Sequence, residues 1–163
     1  MFYECQSLTS VNLKFDTYNV TLMNHLFYNC REITNLNLNN FDFEKVENTS
    51  YMFYECKILR EIIFNNNTIT DNLKEMSYMF SGCEKLEYII SKIFKVDKLT
   101  NLNGVLDDCI SLKEIDLSHF NTENIKVLNG LFNRCWNLEK IDISNFETSK
   151  IENIDSLFNC CDN

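Results

Sequence analysis

The sequence predicts an α/β solenoid of six strand–loop–helix units, each about 26 residues long. Three observations predict it. The pentapeptide MFYEC stands at Met1–Cys5 and again at Met52–Cys56. The motif Phe-x-x-Cys recurs at Phe2–Cys5, Phe27–Cys30, Phe53–Cys56, Phe80–Cys83, Phe132–Cys135 and Phe158–Cys161, with Leu106–Cys109 filling the gap. Successive cysteines of this column lie 25, 26, 27, 26, 26 and 26 residues apart. A unit repeated at one interval over residues 1–163 implies a single array, not several domains.

Each unit opens with a strand pattern. Three residues after the cysteine stand Leu8, Ile33, Leu59, Leu86, Leu112 and Leu138, and six after it Val11, Leu36, Ile62, Ile89, Ile115 and Ile141. Eight after it stand Leu13, Leu38, Phe64, Leu117 and Ile143, with Ser91 as the exception. In LKEIDLSHF (Leu112–Phe120), Ile115 and Leu117 alternate with Glu114, Asp116 and Ser118. A period of two is that of a strand with one face buried.

The second half of each unit predicts a helix. In TENIKVLNGLFNRC (Thr122–Cys135), the apolar Ile125, Leu128, Leu131, Phe132 and Cys135 fall on one helical face. Thr122 precedes them as an N-cap, with Glu123 beside the positive helix end, and Asp42 and Thr148 occupy similar places. One unit cannot bury its apolar stripe alone, so neighbours must stack. Stacking pairs the strands into a parallel sheet on one face and lines up short helices on the other. Phenylalanine follows the strand at Phe15, Phe41, Phe94, Phe120 and Phe146, and the expectation is a stacked spine along this column.

The strand half matches the leucine-rich repeat pattern Leu-x-x-Leu-x-Leu. More specifically, LFNRCWNLEKIDISNFETSKIENIDSLFNCC, LKEIDLSHFNTENI and FDTYNVTLMNHLF resemble the BspA-type leucine-rich repeat surface proteins. The resemblance runs through all six units and is weakest in the third and fourth, where FNNNTITDN is longer and Ser91 replaces an inward leucine. It implies a cell-surface or secreted solenoid used for adhesion or protein recognition; it does not imply catalysis, and no cofactor is expected. The chain starts and ends within a repeat, so a fragment of a longer solenoid is expected. No signal peptide pattern is visible at Met1.

Composition narrows the partner. With 45% hydrophobic residues the chain can build a core, and a net charge of -9 repels nucleic acid and anionic lipid. No apolar run is long enough to span a membrane. The eight cysteines lack a zinc-ligand spacing and read as a buried column of thiols, with Cys160 extra. His25 and His119 suggest no Cys–His nucleophile, so no enzyme, catalytic residue or metal site is expected. The sequons at Asn19, Asn48 and Asn66 are as many as an asparagine-rich chain carries by chance.

The outward face of the sheet is the candidate binding surface. Its central column runs Asn12, Asn37, Ile63, Ile90, Asp116 and Asp142, with Tyr88 two residues before Ile90. Ile63, Tyr88 and Ile90 form an apolar patch rimmed by Asn37, Asp116 and Asp142. Exposed apolar patches of this kind mark interaction sites. The partner expected is a protein, with glycan as the alternative ligand. An intracellular scaffold is the competing reading.

Overall fold

The apolar columns that keep register in the sequence point inward in the structure. The structure is a computed structural model and describes residues 1–14, 16–65 and 67–161. Ile33, Leu59, Leu86, Leu112 and Leu138 are buried, as are Leu36, Leu38, Phe64, Ile115 and Leu117. Phe15 of the phenylalanine column and Asn66 of the third sequon lie outside the described residues.

Strand β1 (Asn35–Leu38) pairs in parallel with β2 (Glu61–Phe64), and β3 (Glu114–Asp116) with β4 (Lys140–Asp142). The register sets Leu36 beside Ile62 and Ile115 beside Ile141. Asn35, Asn37, Glu61, Glu114, Asp116, Lys140 and Asp142 alternate outward and are exposed. The sheet is not continuous, however. In the fourth coil a short 3-10 turn, Ser91–Ile93, replaces the expected strand. Ser91 is buried there and its hydroxyl donates to the Asp116 carbonyl at 2.5 Å. A serine in an inward leucine position seeks a polar partner, and it takes one from the next coil.

The expected helices are absent: among the described residues there is no α-helix. Each of these segments is a run of tight turns. His25 and Asn29, Tyr51 and Glu55, Tyr78 and Gly82, Gly104 and Asp108, Gly130 and Arg134, and Ser156 and Cys160 all hold positive φ. Such residues, four apart, interrupt a right-handed helix, which needs φ near −63° throughout. Alternate amides serve different partners. The N–H groups of His25, Phe27 and Asn29 donate to Ser50, Met52 and Tyr54 of the next coil, while those of Leu26, Tyr28 and Cys30 close turns onto Met23, His25 and Phe27. A helix would spend these bonds within itself and leave the neighbouring coil unbonded. The bonds between coils offset the roughly 1–2 kcal/mol of each left-handed non-glycine residue.

Of the residues expected to cap helices, Thr122 serves the stacking instead. The Thr122 hydroxyl accepts from the Glu147 N–H at 2.7 Å and donates to its carbonyl at 3.3 Å. Thr17 clasps Asp42 in the same way. The Asp42 carboxylate accepts from the Glu44 N–H two residues on, closing a local turn.

The turn side continues unbroken past the fourth coil: Phe53 donates to Met79, Phe80 to Val105, Leu106 to Leu131, and Phe132 to Leu157. Two ladders run through it. From Cys30 on, each column thiol donates to a carbonyl of the preceding coil, among them Cys56 to Phe27 at 3.1 Å, Cys83 to Phe53 at 3.2 Å, Cys109 to Phe80 at 3.3 Å and Cys135 to Leu106 at 3.1 Å. The phenylalanines of the same motif stack face to face, Phe2–Phe27–Phe53–Phe80 at 5.4, 5.8 and 5.4 Å, and Phe132–Phe158 at 5.3 Å. This stack lies on the Phe-x-x-Cys column. In the column after the strand, Phe94 meets Phe64 and Phe80 edge-on.

Candidate functional site

On the sheet face, all six residues singled out in the sequence reach the surface. Tyr88 is 59% exposed, Ile90 53% and Ile63 37%, and Asn37, Asp116 and Asp142 are exposed with them. The strand register sets Asn37 beside Ile63 and Asp116 beside Asp142. The break in the sheet leaves a depression of about 370 Å³, with Tyr88 and Ile90 on one side, Ile115 among its lining, and Glu114, Asp116 and Asp142 on the other. Four of the six residues line it: Tyr88, Ile90, Asp116 and Asp142. Ile63 and Asn37 lie on the other pair of strands.

The polar members of this face have structural duties as well. Asn37 accepts from the Asn39 N–H at 3.0 Å, Asp116 from Ser118 at 2.9 Å and Asp142 from Ser144 at 3.0 Å. Each closes the turn that ends its strand. The Ser118 hydroxyl and amide hold the Asp116 carboxyl below the ordinary carboxylate range, and the Ser144 amide does the same for Asp142. Both are therefore anionic at neutral pH. Lys92 stands 3.9 Å from Asp116, and Lys113 pairs with Glu87 at 2.7 Å.

The opposite, turn face carries features that sequence reasoning passed over. Tyr3, Tyr28 and Tyr54 stack at 4.8 and 4.9 Å, and beside them His25, Tyr51 and Tyr78 stack at 5.0 and 5.1 Å. The second row continues in sequence as Gly104, Gly130 and Ser156. Where the rings stop, a polar depression of about 300 Å³ begins, lined by Tyr78, Gly104, Gly130, Asn103, Asn129 and Asn133. The signal was present: the tyrosines recur at the repeat interval, and both glycines of the row fall in the column of His25, Tyr51 and Tyr78.

Thiols and histidines do not converge. Cys5, Cys30, Cys56, Cys83, Cys109, Cys135 and Cys160 are free thiols, and burial pushes those from Cys30 to Cys135 up, to about 11 at Cys30 and about 12 at Cys135. His25 packs between Tyr3 and Tyr51, and the His119 ring bonds the Ser91 carbonyl. Among the described residues no cluster of three acidic, cysteine or histidine side chains could hold a metal. Asn48 of the second sequon accepts from the Ser50 N–H and sits in a coil-to-coil pairing, with Thr49 and Ser50 buried beside it.

A family model described as "Mycoplasma protein of unknown function, DUF285" matches residues 1–92 and again residues 63–163. Comparison with the curated proteins finds no match. Among solved structures, the chain is similar to a leucine-rich cell surface protein from Faecalibacterium prausnitzii, with 19% identity and a TM-score of 0.59 over 93% of this chain. It is also similar to a leucine-rich repeat protein from Bacteroides ovatus, with 18% identity and a TM-score of 0.50 over 93% of this chain. It spans 43% of the length of each. The leucine-rich repeat fold read from the sequence is the fold these structures share.

Proposed function

The chain belongs to the family described as "Mycoplasma protein of unknown function, DUF285", and from that premise we propose that it is a non-enzymatic binding module of a cell-surface or secreted repeat protein, working in adhesion. It recognises a protein partner through the sheet face. The observation that carries the reading is the exposed pair Tyr88 and Ile90 at the break in the sheet, facing Asp116 and Asp142 across the depression. Exposed aromatic and aliphatic anchors beside a polar rim are what protein interfaces present. The solenoid supports the reading, because stacked coils build an extended surface and no enclosed cleft.

The test is capture of extracellular-matrix and host-surface proteins on the immobilised chain, compared with the double variant Tyr88→Asp, Ile90→Lys. Both side chains are more than half exposed, so the fold should survive. Loss of capture by the folded variant supports the reading. Equal capture would remove the sheet face from consideration.

A further inference from the structure

We propose that the trough beyond Tyr78 on the turn face is a second binding site, and that it takes a short neutral oligosaccharide. Its floor is the far end of the column His25, Tyr51, Tyr78, Gly104, Gly130, Ser156, of which the last four line it. All six residues hold φ between 56° and 58°, so this backbone holds a ring as well as a glycine, the ring bearing the cost of a left-handed residue. The two glycines have different reasons. A Cβ at Gly104 would stand 2.3 Å from the Tyr78 ring, so Gly104 lets that ring lean over it. A Cβ at Gly130 would meet nothing nearer than Asn133 Cβ, at 3.6 Å. The fold does not need Gly130 bare for packing. Its bareness keeps the trough open just where the row of rings ends.

The walls are polar and fixed. Asn133 donates to Asp107 at 2.7 Å and accepts from Asn159 at 2.9 Å; Asn103 donates to the Tyr78 hydroxyl at 2.9 Å; Asn129 accepts from the Asp155 N–H at 3.2 Å. Among the described residues these bonds leave the Asn129 amide nitrogen and the Asn103 side-chain oxygen for a ligand. Asp107 has Arg134 at 3.7 Å, and Arg134 also holds Asp108, while Asp155 lines the trough as well, so the wall is net acidic and disfavours anionic sugars.

Planar amides held in place, with one aromatic ring among them, suit a sugar. The negative face of a ring attracts the weakly positive C–H face of a pyranose. Neighbouring amides serve its hydroxyls as donors and acceptors. A volume of about 300 Å³ is at the small end of ligand clefts, which fits a short segment. An extended peptide finds no free ladder here, because the Gly104 and Gly130 amides already bond Asn129 and Asp155.

The experiment is a titration of the isotope-labelled chain with maltotriose, cellotriose and chitotriose, followed by the backbone amide resonances. At least one trisaccharide should move Gly104, Asn129 and Gly130, with a dissociation constant in the millimolar range. Gly130→Tyr should fold, since Tyr51 and Tyr78 already hold that conformation, and should lose the response. Asn129→Ala should weaken it about tenfold and serves if Gly130→Tyr fails to fold. The sheet-face variant Tyr88→Asp should bind as the parent does. No movement with any of the three sugars, or an unchanged response in folded Gly130→Tyr, would overturn the site.

Discussion

A cysteine in this fold is chosen for its size and its proton. Cys56, Cys83 and Cys109 are fully buried, and each donates S–H to a carbonyl of the preceding coil. Burial pushes all three thiols well above their ordinary value. A raised folded value means that the native state keeps the proton longer than the unfolded chain does. The stability this gives is complete below the unfolded value, about 8.5, and is lost as pH rises toward the folded one. Chemical denaturation should therefore show constant stability near neutrality. Above about pH 9 it should fall by up to about 1.4 kcal/mol per pH unit for each buried thiol. Iodoacetamide should label exposed Cys160 in the native protein and reach Cys83 and Cys109 only in denaturant, which peptide mass mapping would read. Cys83→Ala should cost about 1–2 kcal/mol by urea unfolding, from a lost hydrogen bond and a small void.

At the scale of the element, tight turns do the work that helices were expected to do. Gly104→Ala places a Cβ against the Tyr78 ring and should cost about 2–3 kcal/mol. Gly130→Ala meets only ordinary contacts and should cost about 1 kcal/mol, so comparing their urea midpoints separates ring packing from backbone strain. The inward columns were legible in the sequence because burial imposes register: Leu36, Ile115 and Leu117 lie where their alternation put them. The helix was not legible, because apolar residues three and four apart also arise when successive turns bring the chain back to the same side. What separated the two was the left-handed backbone. Its trace was all three glycines, Gly82, Gly104 and Gly130, falling in the two columns that hold positive φ. On the sheet face the exposure of the six residues was legible from alternation. The trough left a fainter trace, two glycines in the column of His25, Tyr51 and Tyr78, since it is made by side chains that are missing.

At the scale of the whole molecule, the coils are joined continuously along the turn side and intermittently along the sheet side. The break at Ser91–Ile93 opens the depression beside Tyr88, so the irregular coil and the candidate binding face have one origin. Stability in such an array is a sum of coils and contacts between neighbours. Phe53 is fully buried between Phe27 and Phe80, so Phe53→Ala should cost about 3–5 kcal/mol and weaken the coils on both sides, as amide exchange would report. The most direct measurement is a nuclear Overhauser map of the ring protons of Phe27, Phe53 and Phe80. Stacked coils predict cross-peaks from Phe27 to Phe53 and from Phe53 to Phe80, none from Phe27 to Phe80, and no helical pattern between residues 24 and 30. Absence of the neighbouring ring contacts, with helical contacts inside that segment, would contradict a spiral built from turns.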